Sequence, residues 1–416
     1  MPEITQDKSN GLAAYITVTA AYWAFMLTDG ALRMLVLLHF HTLGFSPVQL
    51  AYLFILYEVM GVVTNLSAGW IAARFGLTST LYAGLSLQVL ALLALAQLDP
   101  AWGLTASVIF VMCVQGLSGV AKDLSKMSAK SAVKLLAPKG QGGLFRWVAI
   151  LTGSKNAVKG FGFLLGAGLL AVFGFLTAIW AMAAVLTVIL IGTVIFMPAG
   201  LPQGKKSAKF SQVWSKDRNI NRLSLARMFL FGARDVWFVV GIPIYFYAVL
   251  SDGSEAGNRA AFFTIGTFMA IWIILYGLVQ GLAPKLLKAA EHDTSQIVNS
   301  AILWVGLLTL VPAALAAAVY AQIPFLTPIV VAGLLLFGFI FAVNSSVHSY
   351  LILAFTSDER VTMDVGFYYM SNAAGRLLGT LLSGVSYQVG GLPLCLATAA
   401  LMAGLSWLSA RLLTKA

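Results

Sequence analysis

Charge is what this sequence has least of. Only 10% of its 416 residues are Asp, Glu, Lys or Arg, 60% are hydrophobic, and mean hydropathy is +0.89. A soluble domain carries roughly 25% charged residues, so a water-soluble globular protein is excluded. Acids are the scarcer sign: 15 against 26 Lys and Arg, a net charge of +11. Cysteine is nearly absent. Cys113 and Cys395 stand far apart in apolar stretches, which excludes a disulfide framework and a CxxC metal pair and predicts two small buried residues. The four histidines (His39, His41, His292, His348) form no HExxH, and there is neither a GxSxG nucleophile elbow nor a GxxxxGK(S/T) phosphate loop. A membrane-embedded hydrolase, a resident metal or cofactor and an ATP-driven pump are therefore not expected.

What is present is one long apolar run after another. Twelve spans are expected, at roughly 12–40, 47–73, 79–97, 103–129, 146–172, 175–197, 222–249, 259–283, 297–319, 327–355, 364–388 and 392–412. The opening MPEITQDKSN is polar and no small-residue cleavage site follows, so the first run reads as a retained span. With the N-terminus placed in the cytoplasm, seventeen Lys and Arg fall in inside segments, and one, Arg259, falls outside. That asymmetry predicts both termini in the cytoplasm, and the membrane is expected to be a bacterial inner membrane. It also makes the basic residues of 205–222 topology signals and lipid contacts, not a nucleic-acid site.

The remaining eight cations lie inside the spans: Arg33, Lys122, Lys126, Lys155, Lys159, Arg227, Arg234 and Arg376. Four acids share those spans: Asp29, Glu58, Asp123 and Asp235. A charge at mid-bilayer costs at least about 2.5–3.5 kcal/mol, so such residues usually face a cavity and have a task. An excess of cations along a polar path predicts an anionic passenger.

The polar stretch 198–221 near the midpoint separates six spans from six, predicting bundles over 1–197 and 222–416. Asp29 and Asp235 lie 206 residues apart, each beside an arginine, Arg33 or Arg234. The runs SKNAVKGFGFLLG (154–166) and MSNAAGRLLGTLLSG (370–384) echo one another in the fifth and eleventh spans. Two repeated six-helix halves with a midplane site are the layout of the major facilitator superfamily. GWIAARFGLTSTL (69–81) resembles that family's loop motif G-x-x-x-D-R-x-G-R-K through Gly69, Arg74 and Gly76, but has Ala73 in place of its acid. The expected fold class is all-α integral membrane, twelve transmembrane helices in two six-helix halves.

Spacing suggests roles for the charges. Asp29 and Arg33, at i,i+4, share a helix face and can pair. Arg234 and Asp235 point about 100° apart, so one is expected toward the cavity and the other toward a neighbouring helix. Organophosphate exchangers, which this chain resembles here, place one arginine on each of the first and seventh spans. Arg33 and Arg234 are accordingly the expected oxyanion clamp, since a guanidinium binds phosphate bidentately and stays charged. Lys122, Lys126 and Lys130 form a stripe with Ser125, Ser128 and Ser131. Lys155 and Lys159 repeat the device beside Ser154 and Asn156, and Arg376 can complete the site. The lysines either line the cavity or pair with Asp123 and Glu58. Asn344, Ser345, Ser346 and His348 can add neutral hydrogen bonds, and Arg227 reads as a flanking residue. Glu58 has no base within a turn, which makes it the candidate for proton coupling, with Asp29 and Asp235 holding the arginines. Partner of a lysine, or protonated and silent, are its other readings.

Five segments resemble a narrower group: 22–47, 56–77, GLSGVAKDLSKMSAKSAVKLL (116–136), WVAILTGSKNAVKGFGFLLG (147–166) and RMFLFGARDVWFVV (227–240). They are similar to the ArsJ-type organoarsenical efflux permeases. The resemblance implies export of 1-arseno-3-phosphoglycerate, made by a partner glyceraldehyde-3-phosphate dehydrogenase, and hence arsenate resistance. A solute bearing both arsenate and phosphate suits a cation-rich site, whereas two isolated cysteines make no soft arsenite site. An organophosphate or other organic-anion antiporter is the alternative. A carrier of cationic drugs fits less well, because it would favour buried acids over lysines.

Overall fold

In lipid every backbone polar group must be satisfied internally, so long apolar runs become helices. The computed structural model describes residues 2–99, 101–136, 143–197, 214–287, 294–356 and 361–413, and these contain no strand. The helices are α1 (Pro2–Thr42), α2 (Pro47–Phe75), α3 (Leu77–Leu95), α4 (Leu104–Leu136), α5 (Gly143–Phe173) and α6 (Phe175–Phe196). They are followed by α7 (Arg218–Val236), α8 (Ile242–Leu250), α9 (Glu255–Leu286), α10 (Thr294–Tyr320), α11 (Leu326–Phe355) and α12 (Val361–Arg411). The polar stretch up to residue 213 lies outside the described residues, as do the side chains of Arg74, Lys130 and Ser131.

Among the described residues, eleven stretches are long and apolar enough to cross a membrane. The seventh, Arg218–Leu250, joins α7 to α8 through a π-helical turn, Trp237–Gly241. Pro243 stands just past that turn; it has no N–H, and its ring clashes with the carbonyl four residues back. Ser383 of α12 accepts the amides of Val240 and Gly241 at 3.1 and 3.2 Å, which holds the irregular turn in place.

The eleventh stretch, Asp364–Arg411, is 48 residues long, against about 20 needed to cross a bilayer. Two of the expected spans, 364–388 and 392–412, fall within it. Its backbone leaves helical geometry at Gly390 (φ −143°, ψ 18°) and Gly391 (φ 63°, ψ −157°). Gly391 occupies a region open essentially to glycine alone. Gly391→Ala is expected to cost about 1–3 kcal/mol, read as a lower melting temperature in detergent with helix content unchanged.

Two helix crossings share one register. In α5, a β-carbon on Gly162 would stand 2.4 Å from the Leu27 carbonyl oxygen of α1, and one on Gly166 would stand 2.1 Å from that of Ala31. In α12, a β-carbon on Gly375 would stand 2.0 Å from the Met228 carbonyl oxygen of α7, and one on Gly379 would stand 2.7 Å from that of Gly232. Only glycine permits either approach, as small residues do in membrane helix pairs generally. Leu27 matches Met228 and Ala31 matches Gly232, an offset of 201 residues. Arg33 therefore matches Arg234, and the acids Asp29 and Asp235, at 206, do not correspond. The equivalence suggested by sequence holds for the arginines and fails for the acids.

Helices α1–α6 meet the rest of the chain chiefly through α2 on α12 and α5 on α9. The contact is tight at the end carrying the α1–α2 turn. Gly384 of α12 sits on Ala51 and Pro47 of α2, the Val48 amide donates to Gln388 Oε1 at 3.3 Å, and His41 meets Tyr247 edge-on at 4.8 Å. Toward the opposite end the same helices diverge: a β-carbon on Gly366 would find nothing nearer than the Asn65 carbonyl oxygen at 4.0 Å.

Candidate functional site

All eight intramembrane cations border one cavity of about 200 Å³ enclosed by α1, α2, α4, α5, α7, α9, α11 and α12. Four intramembrane acids, Asp29, Glu58, Asp123 and Asp235, are buried around it, so the surroundings carry four more positive charges than negative. Tyr22, Asn65, Asn156, Tyr276, Gln280, Ser349 and Asn372 supply neutral polar groups. The lining runs from mid-helix toward the end opposite the α1–α2 turn.

Three arginines and two acids form one continuous chain of ion pairs. Arg33 donates to Glu58 Oε1 at 2.8 Å, and Arg376 reaches the same oxygen at 2.5 Å. Arg376 Nε also lies 3.4 Å from Asp235 Oδ2, while Arg234 binds Asp235 Oδ1 through Nε at 2.6 Å and Nη2 at 2.5 Å. The chain thus runs from α1 through α2 and α12 to α7. Glu58 is fully buried, and its Oε2 has no partner. Leaving either partner of such a pair alone in low dielectric is strongly unfavourable, which ties these four helices together.

The lysines are handled separately. Lys159 Nζ donates to Asp29 Oδ2 at 2.9 Å, and Tyr57 donates to Asp29 Oδ1 at 2.6 Å. Lys126 binds Asp123 Oδ1 and Asn65 Oδ1, each at 2.5 Å. Asp123 Oδ2 also accepts from Thr64 at 2.9 Å and from Asn65 at 3.2 Å. Lys122 stands over the Tyr57 ring, 4.0 Å from its centroid, with no carboxylate within ion-pair distance. Lys155 also lines the cavity.

Arg227 is bound by neutral groups only. Its Nε donates to Asn372 Oδ1 at 3.0 Å, and its Nη1 donates to both the carbonyl oxygen and Oγ of Ser345 at 3.0 Å. Its guanidinium carbon is 4.1 Å from the Phe231 ring and 5.1 Å from that of Tyr368. Gln280 donates to Ser345 Oγ at 3.1 Å, which anchors the acceptor from the far side.

Several sequence expectations change. Asp29 and Arg33 do not pair along α1; Asp29 takes Lys159 and Tyr57, and Arg33 takes Glu58, because partners on adjacent helices offer better geometry than the i+4 neighbour. Arg234 lines the cavity and Asp235 lies against α12, as their spacing suggested, but the long arginine side chain folds back so that the two also pair. Glu58 is not isolated: the two cations that hold it come from other helices, out of reach of a search within one turn. Arg227 is no flanking residue but a buried part of the cavity wall. Ser125 and Ser128 face α3, where Ser128 donates to the Leu77 carbonyl oxygen at 2.7 Å, so neither accompanies Lys122 and Lys126 at the cavity. Ser345 serves Arg227, whereas buried His348 and Asn344 find no hydrogen-bond partner. Cys395 is buried as expected, but Cys113 is exposed.

Sequence reasoning also passed over Tyr57, Asn65, Gln280 and Asn372. An amide inside an apolar helix is costly unless bonded, and weighing amides with the charges would have found three of the four.

The fold has known counterparts. A mutant of the nucleoside transporter NupG superposes with a TM-score of 0.68 at 16% identity, covering 97% of this chain and 98% of its own. A POT family transporter in complex with a thioalcohol-conjugated peptide gives 0.70 at 13% identity, covering 95% and 94%. A POT family transporter in complex with 5-aminolevulinic acid gives the same values. The chain has the fold of these membrane transporters. No family model matches it, and no curated protein does.

Proposed function

We propose that this chain is a secondary transporter of a small organic polyanion, built on the major facilitator plan of two six-helix halves. The observation that carries the proposal is the gathering of eight cations against four acids around one cavity between α1–α6 and α7–α12. The break at Gly390 and Gly391 supports counting α12 as two spans, which brings the total to twelve. The matching glycine crossings of α1 on α5 and α7 on α12 support a repeated half.

With both termini in the cytoplasm of a bacterial inner membrane, the interlocked α1–α2 end faces outside. The cavity then loads from the cytoplasm, as an exporter requires. Positive-inside charge supports that orientation. The net positive wall repels cationic solutes and concentrates anions.

The substrate proposed is 1-arseno-3-phosphoglycerate, and its support is the sequence resemblance together with the match between several negative charges and the cation excess. Expression together with a glyceraldehyde-3-phosphate dehydrogenase is expected to protect an arsenate-sensitive bacterium, and expression alone to protect little. Growth curves in arsenate and in arsenite check this. Protection against arsenite only would overturn the substrate. Uptake of a plain organophosphate by everted vesicles, without arsenate protection, would favour the antiporter reading.

A further inference from the structure

The eight cavity cations are not equivalent. Arg33, Arg234 and Arg376 share Glu58 and Asp235, Lys159 is held by Asp29, and Lys126 by Asp123. Arg227 and Lys122 line the same cavity, are buried, and meet no carboxylate within ion-pair distance among the described residues. They arise from opposite sides, Arg227 from α7 and Lys122 from α4.

We propose that Arg227 and Lys122, more than the Arg33 and Arg234 clamp, receive the two charged ends of the substrate, so that the site selects an anion charged at both ends. The proposal rests on the polyanion reading above and specifies it further.

The chemistry of each residue fits the task. Asn372 and Ser345 take Nε and Nη1 of Arg227 and fix the plane of the guanidinium, while Nη2 makes no hydrogen bond among the described residues. A planar cation held by neutral acceptors retains its full charge for an incoming oxyanion. Lys122 Nζ rests on the Tyr57 ring face, which orients an ammonium without neutralising it. Arg33 and Arg234, by contrast, already have their charge balanced by Glu58 and Asp235.

A buried cation that no carboxylate touches is compensated only from a distance, and a bound anion completes it. Structural and binding roles therefore predict opposite effects. Removing a structural cation lowers stability; removing a cation that awaits an anion relieves charge strain and costs affinity.

The test uses purified full-length protein in detergent, with 3-phosphoglycerate as the probe anionic at both ends and glycerol 3-phosphate as the probe anionic at one. Calorimetric titration of the wild type is expected to show at least tenfold tighter binding of 3-phosphoglycerate. Arg227→Gln and Lys122→Gln are each expected to erase that preference, Lys122→Gln with melting temperature unchanged or raised, and Arg227→Lys to restore part of it. Equal affinity of the wild type for both probes overturns two-ended recognition while leaving anion transport standing. Retention of the preference in both Gln variants overturns the assignment to these residues, and a lowered melting temperature in Lys122→Gln overturns it for Lys122. Failure of the wild type to bind either probe removes the polyanion reading itself, and this inference with it.

Discussion

Glu58→Gln is expected to lose about 3–5 kcal/mol of stability, the usual consequence of removing one partner from a buried ion pair. The mechanism is specific. Glu58 Oε1 accepts from Arg33 and Arg376 together, and glutamine presents no negative charge to either. Arg33 would lose its carboxylate, and Arg376 would be left with Asp235, which Arg234 already binds. The check is the melting temperature in detergent beside a cycle of double variants. Arg33→Gln in the Glu58→Gln background should cost far less than Arg33→Gln in the wild type, because the partner has already gone. Were Glu58 instead a protonated, silent carboxyl, glutamine would be a near-isosteric replacement and the melting temperature would barely move. The same measurement thus tests the protonated, silent reading that sequence left open for this residue against the arginine pairing the structure shows.

What was legible in the sequence follows from the range over which each force acts. Hydropathy is local and additive, so the positions of the apolar runs, from α1 through α11, could be read directly. Inventory was legible too: the cost of a membrane charge does not depend on its partner, so seven of the eight cations, all but Arg227, could be singled out as belonging to one polar path. Pairing was not legible. Glu58 and Arg376 are 318 residues apart, and Lys159 and Asp29 are 130 apart; no local period encodes such contacts. Position along a helix misled at Arg227. Its closeness to the start of α7 suggested a flank, whereas the register set by Gly375 against Met228 turns that part of α7 into the cavity wall. The proposed repeat was half legible for the same reason. An offset judged from matching acids gave 206, while the backbone crossings give 201 and pair the arginines.

Two leucine substitutions nine residues apart on α12 are expected to have opposite consequences. Gly375 packs against α7, within one proposed half, and a β-carbon there would lie 2.0 Å from the Met228 carbonyl oxygen. Backbone cannot yield as a side-chain end can. Gly375→Leu must therefore part α7 from α12 and break the pairing of Arg376 with Asp235, so no monodisperse protein is expected after solubilisation. Gly384 packs against α2, across the proposed halves, and a β-carbon there would stand 2.5 Å from Ala51 Cβ and 2.6 Å from the Pro47 carbonyl oxygen. In that case the two helices belong to bodies that can separate at this end without losing their own cores. Gly384→Leu is expected to yield folded protein in which the α1–α2 end has opened. The population shift is readable by labelling: with exposed Cys113 changed to serine and a cysteine placed at cavity residue Met26, an impermeant maleimide should react from the α1–α2 side at least tenfold faster than in the Gly384 parent. Equal labelling rates in folded Gly384→Leu would mean that this contact does not close the cavity, and collapse of both variants alike would mean that α2 and α12 belong to one rigid body.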